Sequence, residues 1–419
     1  MWELIESNLS WSIISLPFIS AIIGWGTNVL ALKMTFYPLE FIGFKFQGVK
    51  AVGWSGFPPI GWQGIIPSKA ESMASKATDM ITTKLIDVED QFAKINPAIV
   101  AKEMEPSILR LAREVTNEVM TKHVPMWKLL PNTQKEKIYA RAAEEIPTVI
   151  EEIMEEVKVN ITDVFDLKAM AVNHLTANKD LLNRIFLEVG DKEFTFIERS
   201  GFVFGFIFGI FQAILYINWQ SDWQLPLGGL LVGYLTNVLA LKMIFSPTNP
   251  IKIFGFTIQG LFIKRQKEVS RGYARLVSEN VMTMDNVFTQ MFKGAGADKL
   301  IKIIEKHSKE GIDKTAGFNS SLIKFTSGTD TYDEIKMIAV NRFIEAAPEQ
   351  IHVVFDYAKQ ALDIEETMYT RMTNLPPDEF VDFLRPVFQE DEWKLVLTGA
   401  ILGMIAGGLQ LIIMVSNAT

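Results

Sequence analysis

Few residues in this 419-residue chain have types and spacing that could do chemistry, and the clearest set occurs twice. TNVLALKMTFYP at 27–38 returns as TNVLALKMIFSP at 236–247, with ten of the twelve letters the same. Each copy sets a Thr-Asn pair (Thr27 and Asn28, Thr236 and Asn237) and a lysine (Lys33, Lys242) in an otherwise apolar run. On a helix Gly24, Asn28, Ala31 and Thr35 share one face, and Gly233, Asn237, Ala240 and Ile244 repeat it. Small residues let membrane helices approach closely. An Asn can then hydrogen-bond across the contact, at about 0.6–2 kcal/mol each, and a Thr can bond a carbonyl one turn back. Two readings stand: the Asn helices pack together near an internal axis, or Asn28 and Asn237 line a site for lipid or solute. The lysines come five residues later, where the stem can lie in hydrocarbon while the ammonium reaches the headgroups. Anionic lipid phosphates are the natural partners there.

A second repeated set is purely steric. Gly201, Gly205 and Gly209 are followed by Gln212, and Gly399, Gly403 and Gly407 by Gln410, at the same spacing. Such lines make a close-packing face, with the Gln placed to bond a neighbouring helix. Signals for catalysis or cofactors are lacking. The four histidines (His123, His174, His307, His352) show no ligand spacing, and there is no HExxH and no GxxxxGK[ST]. The chain has no cysteine, which excludes thiol chemistry and disulfides. GAGA at 294–297 reads as a loop. The acidic run Glu390-Asp391-Glu392 reads as a solvated helix start, where negative charge suits the N-terminal dipole. The expectation is a non-enzyme with no catalytic, cofactor or metal residues.

The elements that carry these motifs follow from hydropathy. Apolar residues make up 48% of the chain, and the mean hydropathy is +0.17. They concentrate in Trp11–Phe36, Phe202–Trp219, Leu225–Phe245 and Leu395–Val415, each near the ~17–25 residues a helix needs to span a bilayer. No Asp or Glu lies in any of these segments to make a proton relay with the lysines. The first charges are Glu3 and Glu6, so the first segment is expected to be a retained helix rather than a signal peptide. Basic residues near the segment ends (Lys33, Lys45, Lys50, Arg184, Lys192, Arg199, Lys242, Lys252, Lys264, Arg265, Arg385, Lys394) all fall toward the two polar regions. The loop NWQSDWQ (218–224), the N-terminus and the SNAT tail have none. The positive-inside rule therefore puts both polar regions in the cytoplasm and both termini outside, with Trp11, Trp219 and Trp223 at the outer interface. A net charge of −8 with dispersed Lys and Arg gives no stripe for nucleic acid.

The repeat runs further than the motif. LPFISAIIGWGTNVLALKMTFYP (16–38) aligns without a gap to LPLGGLLVGYLTNVLALKMIFSP (225–247). GFKFQG (43–48) resembles GFTIQG (255–260), and WQGIIPSK (62–69) resembles IQGLFIKR (258–265). GFVFGFIFGIFQ (201–212) matches GAILGMIAGGLQ (399–410), with Asp180 and Glu193 opposite Asp378 and Asp391. The expected fold is an all-α integral membrane protein with four transmembrane helices in two parallel tandem repeats. Unit 1–217 would hold spans 11–36 and 202–219 around cytoplasmic region 40–200. Unit 218–419 would hold spans 225–245 and 395–415 around region 248–394. The cytoplasmic regions read as helical, with starts at Ser68/Glu71, Asn96-Pro97 and Thr133/Glu136 and a kink or break at Pro348. Short Gly-rich hairpins are expected after the first and third spans, and VKAVGWSGFPPIG (49–61) is an insertion in the first half only.

The paired Gly-x2-Thr-Asn-x-Leu-Ala-x-Lys-Met-x-Phe-x-Pro motif, WQGIIPSK, IERSGFVFGFIFGIFQ and LPPDEFVDFLRPVFQEDEWKLVLTGAILG together resemble the bacterial membrane proteins grouped as domain of unknown function 445. The resemblance runs through essentially the whole chain. It implies helical inner-membrane proteins with a large helical cytoplasmic part, and no particular activity. With some 300 residues outside the spans, the leading expectation is a structural, membrane-organising or scaffolding role, as a homo-oligomer in contact with anionic lipid. The alternative is a transporter or lipid-handling protein with its site between the two Thr-Asn helices.

Overall fold

Apolar runs fix the helices of one part of the molecule, and amphipathic periodicity fixes those of the other. The computed structural model describes residues 11–44, 60–219, 221–253, 255–327, 329–385 and 392–418. In chain order the longer elements are α1 (Trp11–Phe36), β1 (Ile42–Phe44), β2 (Ile60–Trp62), α2 (Pro97–His123), α3 (Asn132–Val159), α4 (Asp191–Asn218) and α5 (Gln224–Phe245). There follow β3 (Ile251–Ile253), β4 (Phe256–Ile258), α6 (Gln266–Asn280), α7 (Met284–Lys293), α8 (Ala297–Ser327), α9 (Thr329–Gln350) and α10 (Glu392–Ala418). Most of the insertion 49–61 lies outside the described residues, as do Glu390 and Asp391 of the acidic run.

The chain forms two compact units, and each draws pieces from both sequence halves. One comprises Met1–Met80, His174–Leu276 and Tyr369–Thr419; the other comprises Ile81–Asn173 and Val277–Met368.

Among the described residues, the first unit holds four helices long and apolar enough to cross a membrane, within Ile13–Phe36, Asp191–Asn218, Gln224–Phe245 and Glu392–Ile412. α1 packs along α4, and α5 along α10. α4 and α10 start earlier than the apolar runs 202–219 and 395–415 because charged first turns extend them. Large apolar side chains such as Phe18, Ile22, Phe211, Leu231 and Ile405 remain exposed on their outer faces. Trp219 and Trp223 are exposed in the turn joining α4 to α5.

Each Thr-Asn helix ends in a cis X-Pro bond, Tyr37-Pro38 and Ser246-Pro247, and runs into an antiparallel hairpin, β1–β2 or β3–β4. Gln63 Nε2 then donates to Leu39 O at 2.7 Å, and Gln259 Nε2 donates to Thr248 O at 3.0 Å. The next residues, Gly64 and Gly260, donate their amides to Pro38 O and Pro247 O, both at 2.9 Å. A Cβ on either glycine would strike the last turn of the helix, so the repeated Gln-Gly folds the hairpin back onto it.

The second unit is a ring of four helices in which α2 touches α3, α3 touches α8, α8 touches α9 and α9 touches α2. Asn96 caps α2, its side chain accepting from Ala98 N at 3.0 Å, with Pro97 in the first turn. α3 begins at Asn132, so Thr133 lies inside the first turn and forms no cap. In the first unit Ser68 likewise starts no helix: it closes the turn Ile65–Ser68, and Ala70–Met80 follows. Pro348 is accommodated within α9, which gives way two residues later to the 3-10 turn Ile351–Val354. Gly317 takes φ +47°, which breaks α8 and which a side chain would resist. Trp127, Tyr139, Val115, Val119 and Ile335 form a buried cluster at one end of the ring.

Candidate apolar binding site

The centre of the ring is hollow. A cavity of about 310 Å³ runs between α2, α3, α8 and α9, with Phe288, Met291 and Phe292 of α7 closing part of it. Ala112, Ala142, Ala316, Ala339 and Ala347 all line it, at places where Leu or Ile would fill a bundle core. Larger lining residues such as Met104, Ile108, Ile146, Ile153 and Ile304 make the walls apolar. The lining extends from Met104 to Met120 on α2 and from Ile138 to Val157 on α3, roughly 24–28 Å at 1.5 Å per residue.

Magnitudes make the hollow significant. At about 24 cal/mol per Å³, leaving 310 Å³ unfilled forgoes up to about 7 kcal/mol, comparable with the whole stability of an ordinary domain. An apolar cavity of about 150 Å³ already stays dry and takes up benzene. The volume falls at the lower end of the roughly 300–1,000 Å³ typical of ligand pockets.

The few polar lining groups, Thr116, Glu145, Thr315, Tyr332 and Lys336 (Ser308 apart), lie toward the Trp127 end. Lys336 pairs with Asp313 at 3.1 Å, and Tyr332 donates its hydroxyl to the same carboxylate at 2.8 Å. Burial and that carboxylate push the Tyr332 phenol well up.

A charged belt ties α3 to α8 along one wall. His307 is buried, with Nε2 at 2.8 Å from Glu156 and Nδ1 at 3.3 Å from Glu152. Lys306 reaches Glu156 at 2.7 Å, and Lys314 reaches Glu152 at 3.2 Å. Burial pushes the Glu152 carboxyl up, but the hydrogen bond and charge of Lys314, with His307, outweigh it and hold the group below the ordinary carboxylate range. Hydrogen bonds from Lys306 and then His307 hold Glu156 low. Oxygens of Glu152 and Glu310 and a nitrogen of His307 lie within 4.8 Å of one another, close enough to share a cation. Lys306 and Lys314 already neutralise this belt, so its chemistry is that of an ion-pair clasp. Sequence spacing held no sign of it, because His307 and its glutamates are 151 and 155 positions apart.

The residues singled out by motif lie in the first unit. Thr27 bonds Gly24 O at 3.1 Å, and Thr236 bonds Gly233 O at 3.4 Å. Asn28 Nδ2 donates to Ile197 O at 2.6 Å, and Asn237 Nδ2 donates to Leu395 O at 2.9 Å. Each asparagine thus bonds the second span of its own half rather than its twin, while the two Thr-Asn helices, α1 and α5, do touch one another. The reason is steric: Gly201 and Gly399 bring that span so close that a Cβ on either would collide with the Asn amide. Gly205, Gly209, Gly403 and Gly407 are buried against the partner backbone in the same way. Gln212 Oε1 accepts from Ser20 Oγ at 3.2 Å; in the second half Gly229 stands where the repeat register places Ser20, and Gln410 Nε2 is buried without a partner. Lys33 and Lys242 are exposed at the ends of α1 and α5.

Four apolar helices whose outer faces carry Phe, Ile and Leu have to be covered by hydrocarbon. The protein belongs in a membrane. Its relatives agree. A UPF0754 membrane protein of Staphylococcus epidermidis is 23% identical over 154 residues, 31% of this chain and 41% of the relative. One from Synechococcus is 34% identical over 65 residues, 15% of this chain and 16% of the relative. One from Staphylococcus aureus is 25% identical over 122 residues, 28% of this chain and 32% of the relative. The chain thus spans less than half the length of each of these curated relatives. No family model matches the chain, and no solved structure does. The relatives' names support the coarser part of the motif resemblance, a membrane protein of an uncharacterised family, and do not mention domain 445.

Proposed function

We propose that this membrane protein handles lipid, its helical ring taking up a single hydrocarbon chain. The cavity carries the reading: beyond the polar groups at the Trp127 end its walls are apolar from Met104 to Ala112 on α2 and from Ile146 to Val157 on α3, roughly 12–17 Å, and one leaflet of a ~30 Å hydrocarbon core is about 15 Å deep. For a chain anchored by four spans, lipids are the most concentrated apolar molecules within reach. The polar groups at the Trp127 end suit the headgroup of a chain lying in the apolar remainder. This moves the lipid-handling site away from the Thr-Asn helices, whose amides are engaged in helix contacts. The role is one of binding and needs no catalytic residue.

In the same reading the protein is a multi-pass protein of a bacterial inner membrane, with the ring in the cytoplasm and both termini outside. The distribution of Lys and Arg supports that topology. A second reading, the scaffold, draws on the backbone-to-backbone contact of α1 with α4 and of α5 with α10, which suits a rigid anchor. Under it, copies of the chain would assemble to organise membrane.

Purification in mild detergent, followed by solvent extraction and mass spectrometry, tests the proposal. About one lipid chain per protein is expected, and displacement of it by Ala142→Phe with Ala339→Phe. An empty protein that also takes up no fluorescent fatty acid would leave only the scaffold.

A further inference from the structure

The two halves differ at one place where their register predicts likeness. At the end of α5 the exposed Lys242 faces Arg385, Glu392 and Trp393 around a cleft of about 720 Å³. Exposed Tyr234 and Leu397 form its apolar wall. In the register of the repeat, Leu187, Phe194 and Thr195 of the first half stand where Arg385, Glu392 and Trp393 stand in the second. Phe194 packs edge-on against Phe36, with ring centroids 5.2 Å apart, and occupies the corresponding place. In the second half Phe245, the counterpart of Phe36, instead stacks on Phe262 at 5.3 Å. A charged residue has replaced the ring that would have filled the gap.

Among the described residues, the cleft holds two cations and one carboxylate. Among the described residues, Arg385 Nε is buried without a hydrogen-bond partner, and the nearest carboxylate, Glu392, lies 3.7 Å away. A buried guanidinium N–H left unmatched calls for an acceptor. The cleft lies at the end of a span, where the surrounding medium passes from acyl chain to headgroup. We propose that it binds the phosphate of an anionic phospholipid between Lys242 and Arg385, with the acyl chain along Tyr234 and Leu397. This does not depend on the ring cavity, so cavity-filling variants leave it intact.

The test is lipid retention by the full chain in nanodiscs of phosphatidylcholine doped with phosphatidylglycerol, read by native mass spectrometry after detergent release. Wild type should retain phosphatidylglycerol preferentially. Lys242→Ala with Arg385→Gln should reduce that preference about thirtyfold, at the usual strength of two cations near a membrane surface. Lys33→Ala, in the half without the cleft, should leave it unchanged. Glu392→Gln, which removes the opposing charge, should raise it about fivefold, a gain that misfolding cannot imitate. Equal retention of both lipids, an unaffected double variant, or an equal loss in Lys33→Ala would overturn the proposal. Inorganic phosphate matching phosphatidylglycerol in competition would assign the site to free phosphate and overturn the lipid.

Discussion

Arg265 Nη1 meets both carboxylate oxygens of Glu193, at 2.7 and 2.6 Å. Glu193 is 1% exposed in the first turn of α4, and Arg265 follows the β3–β4 hairpin, so this ion pair joins one sequence half to the other. Burial opposes the charge on Arg265, yet Glu193 and Glu268 more than compensate and hold its pKa above the ordinary value. Arg265→Ala would strand a buried carboxylate, which typically costs about 3–5 kcal/mol. Thermal unfolding in detergent should show that loss. Replacing the pair together, Arg265→Met with Glu193→Gln, should cost markedly less, and equal losses would mean the charge itself is immaterial.

The glycine contacts between spans should be harder to alter than the asparagine bonds they permit. A Cβ at Gly201 would meet the Gly24 carbonyl and the Asn28 amide, so Gly201→Ala forces the helices apart at about 1–3 kcal/mol. Asn28→Leu removes one interhelical hydrogen bond, about 0.6–2 kcal/mol. Paired stability measurements on these variants, with Gly399→Ala and Asn237→Leu beside them, should give the same order in both halves.

These contacts also show how far the sequence could be read. The spans, the hairpins and the start of α2 at Asn96-Pro97 were legible because hydropathy, Gly-rich turns and capping are local signals. The partner of Asn28 was not: a small polar stripe states that a helix packs closely without saying against which neighbour. The cavity was hidden for a related reason. Ala142 and Ala339 look like ordinary helix formers, and only the closing of four helices from two distant stretches shows that they line a hollow.

The belt on α3 and α8 predicts a sensitivity to acid. Glu152 and Glu156 have folded pKa values held below their ordinary 4.5, so their contribution is present above that value and lost as pH falls through the depressed ones. Lys306 is raised by its hydrogen bond to Glu156, so its share is complete below 10.5 and is lost only as pH rises through the raised value. Once corrected for the intrinsic exchange rate, amide protection around 145–157 and 300–314 should therefore fall as pH drops below 4.5 and through the depressed values. His307→Ala should lower that protection already at neutral pH by removing the link between the two glutamates.

The cavity itself offers a test in which the sign of the effect carries the answer. Ala339→Leu adds three carbons to a wall that faces empty volume, and each buried carbon contributes about 0.8 kcal/mol. Protein stripped of lipid should therefore gain about 2 kcal/mol of stability from the substitution. Protein purified with its lipid should gain less or lose, because the new side chain and the bound chain compete for the same space and ligand stabilisation disappears with occupancy. Measuring both preparations separates a binding cavity from a merely loose core. Equal gains with and without lipid would show that no guest occupies the ring.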